Sequence, residues 1–180
     1  MAEWMRRFWR ETWPTLRVVG TFIATIFLAF SLLTWEPLVQ RIDISWGLAQ
    51  VIAWLSYALL FVVGAVVGFP VIIEGTNLAS GAFRVDVAPA CSGAVPTMIY
   101  LAAVAAYPAG WREKLLGAGL GMLVIHTANL LRVMGLFLIG LFAEQYFHDA
   151  HVYVAQGLVV AVAVATWLFW AGRFVHAPGH

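Results

Sequence analysis

The chain has 180 residues, of which 63% are hydrophobic and only 11% charged, and its mean hydropathy of +0.89 lies far outside the soluble globular range. Ten Lys and Arg against nine Asp and Glu leave a formal charge of +1, which excludes both a basic nucleic-acid footprint and an acidic tail. A single cysteine rules out an internal disulfide or a Cys-rich metal site, and five scattered His give no metal-ligand spacing. The sequence therefore predicts an all-α polytopic membrane protein, one transmembrane domain over residues 1–180 whose solvent is the lipid bilayer, with no metal, cofactor or nucleic acid.

Residues 1–17 mix Trp4, Phe8, Trp9 and Trp13 with Arg6, Arg7, Arg10 and Arg17, the pattern of an amphipathic helix lying in the interface ahead of the first span. Apolar runs then predict spans at Val18 to Trp35, Ile44 to Phe69, Ser92 to Tyr107, Leu115 to Ala143 and Val152 to Ala171. Trp35, Trp46, Trp111, Trp167 and Trp170 fall near the span ends, where an indole prefers the headgroup layer. Five spans put the termini on opposite faces. Arg6, Arg7, Arg10, Arg17 and Arg84 then face Arg41, Arg112, Lys114 and Arg173, a near tie that leaves orientation open. A sixth crossing would come from a broken or re-entrant second segment, at Gly47, Gly64 or Gly68, so about five to six transmembrane helices are expected.

Between the second and third spans, residues 71–90 are too short and too polar to cross. Phe83, Val85 and Val87 alternate, and Asn77, Ser80 and Gly81 are turn formers, which reads as a β-hairpin. The hairpin delivers the chain to Cys91. There the start of a helix, Ser92 as a cap and Gly93 allowing close backbone approach all favour a thiolate, although a lone Cys in an apolar chain is more often a small buried hydrophobe.

The fourth span carries His126, Asn129 and Arg132. Spacing by three places them within about 120° on a helical wheel, a polar stripe that must face the bundle. His and Asn are common helix-helix glue in membranes, whereas an Arg, which does not deprotonate, demands protein, water or a counter-group. Gly117, Gly119 and Gly121 permit close helix approach in the same span. His148, Asp149 and His151 lie in the connection that opens the fifth span, where two surface His need have no role. In an antiparallel bundle, however, Cys91, Arg132 and the His pair all come to one face.

In this order the chain resembles the exosortase/archaeosortase family of multi-pass membrane transpeptidases. The resemblance rests on Ala90-Cys91-Ser92-Gly93 after a hairpin, on Asn129 to Arg132 in the next long apolar segment, and on a following His. It covers roughly Gly64 to Arg173, and the ending His151 to Gln156 is most like the exosortase H branch. The resemblance implies Cys91 as nucleophile, Arg132 as stabiliser of the oxyanion or substrate carbonyl, and His151 rather than His148 as general acid/base. Asn129, Ser92, Gly93 and His148 are the expected substrate-binding residues. It also implies a bacterial inner-membrane enzyme whose hairpin and site are extracytoplasmic. Such an enzyme cleaves a C-terminal sorting signal of exported proteins (motif, transmembrane helix, basic tail) and transfers the protein through a thioacyl enzyme to a surface acceptor, a glycolipid or polysaccharide. Glu74, Arg84 and Asp86 stand where the motif would be read, or form a solvated face. Two other readings use the same residues: a non-catalytic subunit or carrier with a polar pathway along the fourth span, and an intramembrane protease that only hydrolyses.

Overall fold

The structure is a computed structural model describing residues 2–36 and 43–175; Arg41, counted in the charge balance, lies outside the described residues. The first element, α1, is one helix over Ala2–Thr34 with Pro14 inside it. The expected interfacial segment and first span are therefore not separate pieces. Its apolar part, Phe8–Leu32, is long enough to cross a membrane, and Trp9 and Trp13 sit on one side of it with ring centroids 6.2 Å apart.

Helix α2 covers Ile44–Val67. It begins where the Asp43 carboxylate accepts the Trp46 N–H at 2.9 Å, the usual satisfaction of an orphan first-turn donor. It ends at Gly68, whose φ of +96° makes a left-handed cap while its N–H donates to the Gly64 carbonyl at 2.7 Å. The helix is continuous, so the glycines expected to break it do not. Gly68 stops it, and at Gly64 a Cβ would overlap the Phe69 carbonyl.

The polar insert after α2 contains the expected hairpin, extended by one strand into a three-stranded antiparallel meander: β1 Ile72–Glu74, β2 Asn77–Ser80 and β3 Phe83–Asp86, in the order β1-β2-β3. Asn77 and Ser80, expected in a turn, pair inside β2 with Asp86 and Phe83. The turns fall at Gly75 and Gly81, whose φ values of +65° and +59° no β-branched residue would readily take. The alternation at Phe83, Val85 and Val87 is as expected, with Val87 buried and the other two half-buried. Leu78, Val87 and Val71 join Ile52, Ala53 and Leu60 of α2 in one core.

A 3-10 turn, Pro89–Cys91, leads into α3, Ala94–Ala106. At 13 residues and 1.5 Å per residue, α3 is about 20 Å long, shorter than the hydrocarbon core. The run that predicted the third span loses its first residues to the turn and to Gly93. Helix α4 follows over Trp111–Phe142. The tight turn between them is held by Lys114 Nζ donating to the Ala105 carbonyl at 2.6 Å and by the Gly110 N–H donating to Glu113 Oε2 at 2.8 Å. Glu144–Tyr146 is 3-10, Phe147–Asp149 is one α-helical turn, and Ala150–Ala155 is a π-helix that runs into α5, Gln156–Phe174. Among the described residues four helices are long and apolar enough to cross a membrane, with α3 a shorter apolar helix beside them.

Helix α4 is the axis of the bundle, in contact with α2, α3 and α5, while α1 packs along α3. A second core joins Tyr100 and Val104 of α3, Ile125 of α4, and Val159 and Trp170 of α5. Trp170 corrects the headgroup expectation. It is 0% exposed, lies against Gly117 and donates its indole N–H to the Glu113 carbonyl at 2.8 Å. An indole whose donor is satisfied inside the protein has no need of the interface. Trp35, Trp46 and Trp111 remain exposed as the belt predicts. Of the three glycines of α4 expected at helix contacts, Gly117 meets Trp170, Gly121 meets the Tyr100 ring, and Gly119 meets nothing within 4 Å.

The meander is seated on α4 at Gly140, where a Cβ would overlap the Phe83 ring; Phe83 also packs edge-on against Phe137 and Phe147. Gly140→Leu is expected to cost about 1–3 kcal/mol through overpacking. Thermal unfolding in detergent should show that loss, with Gly119→Leu alongside retaining the parent midpoint; equal midpoints for both variants would refute the seat.

Candidate active site

The end of the meander, the start of α3, the C-terminal half of α4 and the π-helix before α5 meet at one end of the bundle. Cys91, Arg132 and His151 line the same pocket there, with Val85, Asp86, Val87, Val133 and Leu136 as its walls; the cavity is about 20 Å³, room for roughly one water. Arg132 Nη2 donates to Cys91 Sγ at 3.7 Å, and its Nη1 donates to Asn129 Oδ1 at 3.3 Å. Asn129 is fully buried and donates its Nδ2 to the main-chain carbonyl of Cys91 at 2.9 Å. A single side chain thus ties the backbone of Cys91 to the guanidinium, an arrangement that follows from the three-residue spacing of Asn129 and Arg132 on one helical face.

Arg84 pairs with Glu74, 3.9 Å apart on the exposed sheet. Arg132 has no carboxylate within ion-pair distance among the described residues, and its Nε is buried without a hydrogen bond. A half-buried cation placed beside a thiol with an unused donor is suited to an anion that forms there. Its depth is tolerable. Arg132 is 21 residues past Trp111, about 32 Å along α4, so with Trp111 in one headgroup layer it reaches the opposite edge of a hydrocarbon core about 30 Å thick.

The chain around Cys91 is shaped by Gly93, which takes φ +82° as the N-cap of α3. A Cβ there would lie 3.2 Å from Asn129 Nδ2 and 3.4 Å from His126 Nδ1, so glycine serves both the left-handed backbone and the close approach of α4. Ser92 is fully buried, and its Oγ accepts the Ala94 N–H at 3.2 Å. His126 faces Thr97 of α3, with Nε2 3.4 Å from the hydroxyl, a helix-helix contact of the kind expected for it.

The two His of the connection separate. His151 lines the pocket, lies near-parallel to Phe147 with ring centroids 5.9 Å apart, and keeps a buried Nδ1 without a partner. His148 is exposed on the outside of the same turn. Of the residues expected to bind substrate, Ser92, Gly93 and Asn129 are thus held in the frame beneath Cys91, and His148 stands apart. Sequence reasoning did not single out Val133, Leu136 or Phe147, whose signal was only their place on the faces of Arg132 and His151, nor the π-helix that presents His151.

Among the described residues there is no group of three or more His, Cys, Asp or Glu able to hold a metal ion. No curated protein and no solved structure matches the chain. Residues 8–170 match the family model of the transmembrane exosortases (Exosortase_EpsH). That stretch includes every pocket residue, and the chain belongs to the transmembrane exosortase family.

Proposed function

We propose that the protein is a cysteine transpeptidase that processes the C-terminal sorting signals of exported proteins. The observation that carries the reading is the forked Arg132, bonded to Cys91 Sγ and to Asn129, with His151 on the same small pocket. Cys91, as thiolate, attacks the scissile carbonyl carbon. The carbonyl electron pair moves onto oxygen, where Arg132 offsets the charge. Collapse expels the downstream amine, which takes a proton from His151, and leaves a thioester on Cys91. An acceptor amine or hydroxyl then loses its proton to His151, attacks the thioester and releases the thiolate. Water in that role would make the enzyme a plain protease. Asn129 is a positioning residue in this scheme. We place the pocket on the extracytoplasmic side of the bacterial inner membrane, where exported proteins and glycolipid or polysaccharide acceptors are found.

Incubating the protein in lipid nanodiscs with a reporter that carries a motif, a transmembrane helix and a basic tail should yield a mass adduct on Cys91. Hydroxylamine should discharge it as a hydroxamate. A processed reporter without any adduct, or with Cys91→Ala still processing it, would sink the mechanism. A product that ends in a free carboxylate even with acceptor lipids present would point to hydrolysis alone. The alternative of a polar pathway uses the same Arg132 but predicts that Cys91→Ala is silent.

A further inference from the structure

The meander ends in an edge strand. In the order β1-β2-β3, strand β3 pairs on one side only. The register Ser80 with Phe83, Leu78 with Val85, and the bond from the Val87 N–H to the Thr76 carbonyl at 3.0 Å fix which groups face β2. In an antiparallel ladder hydrogen-bonded pairs alternate with unbonded ones. The main-chain N–H and C=O of Phe83, Val85 and Val87 therefore point to β2, and those of Arg84 and Asp86 point to the open edge. Both residues are exposed. A bare edge is a hazard that proteins ordinarily blunt or cover, and this one runs directly into the pocket, since Val85, Asp86 and Val87 share its wall with Cys91.

The strand is also firmly held. Leu78 and Val87 are in the core, Thr76 Oγ donates to Asp86 Oδ1 at 2.6 Å, and Phe83 is fitted over Gly140. The edge therefore presents its donors and acceptors without ordering cost at the moment of binding.

Resting on the function proposed above, we infer that the open edge of β3 is the docking strand for substrate: the residues preceding the scissile bond add to it as a fourth strand. β3 runs from Phe83, over Gly140, toward the pocket at the level of Arg132. A peptide whose carboxyl end meets Cys91 and whose upstream residues lie along Arg84 and Asp86 must run the same way, so the added pair is parallel. Main-chain bonds to Arg84 and Asp86 supply affinity without regard to sequence, and alternate side chains supply selection. Those turned inward meet Val133 and Leu136 around a cavity of about 20 Å³, which selects small apolar residues.

The test uses the full chain in nanodiscs and the fact that Cys91 is its one thiol. Acetyl-tetraalanyl chloromethyl ketone and chloroacetone alkylate Cys91 by the same displacement of chloride, and the ratio of their rates measures docking. Single N-methyl groups are then moved along the peptide. The expected result is a ratio well above that for N-acetylcysteine, a roughly tenfold fall at every second amide and little change at the amides between. Arg84→Pro removes one open-edge N–H without touching the β2 ladder. It should lower the ratio of the two rates. Equal sensitivity at neighbouring amides, or a ratio no higher than for N-acetylcysteine, overturns the docking strand while leaving the nucleophile intact. Chloroacetone reacting with Cys91 no faster than with N-acetylcysteine at the same pH instead brings down the nucleophile, and the docking strand with it.

Discussion

Lysine in place of Arg132 is expected to slow acyl-enzyme formation about 10²- to 10³-fold while the fold survives, the effect of removing one oxyanion donor. Lysine keeps the positive charge, so the loss isolates geometry. The guanidinium reaches Asn129 Oδ1 with one nitrogen and Cys91 Sγ with the other, and an ammonium, whose three donors sit on one nitrogen, does not reproduce that planar fork. The corresponding barrier is about 2.7–4.1 kcal/mol. Single-turnover formation of the hydroxylamine-sensitive adduct gives the rate directly, and thermal unfolding checks the fold. A lysine variant as fast as the parent would show that charge alone suffices and that the Asn129 tether has no catalytic consequence.

His151→Ala should lose about 10²- to 10⁴-fold, the usual contribution of a general acid/base. His148→Ala, three residues earlier on the exposed side of the turn, should keep most of the rate. The two are separated further by the leaving group. If His151 protonates the departing amine, a reporter with an ester at the scissile bond expels an alkoxide that depends less on that proton, and the His151 variant should recover most on the ester. A variant equally slow on amide and ester would place His151 outside proton transfer, and loss in the His148 variant instead would reverse the assignment.

Much of this architecture can be read in the residues before any fold is known. The apolar runs locate α2, α4 and α5 to within a few residues, because length and hydropathy are local properties. The order Cys91, Asn129, Arg132, His is likewise visible as motif. What escapes is set by partners distant in sequence. Trp170 reads as an interfacial indole until the Glu113 carbonyl and the gap at Gly117 are known to face it. Asn77 and Ser80 have turn-forming side chains, yet the positive φ needed by each turn falls to Gly75 and Gly81, which leaves β2 between them. Asn129 reads as a substrate ligand or as glue with equal ease, because only its bonds to the Cys91 carbonyl and to Arg132 reveal a frame.

The π-helix over Ala150–Ala155 bears on ancestry. Its hydrogen bonds close over five residues rather than four, so it accommodates one residue more than an α-helix between the same fixed flanks. Such a segment can absorb a single inserted residue without rotating the packed helices on either side of it. Deleting one residue here would turn the His151 side chain by about 100° relative to α5. A one-residue gap in this stretch would shift its histidines by a single column while α4 and α5 stayed in register, too little to exchange His148 with His151, which stand three residues apart, but enough to re-aim whichever of them faces the pocket. What separates the two histidines is a property of the folded chain: His151 shares a pocket wall with Cys91, and His148 is exposed.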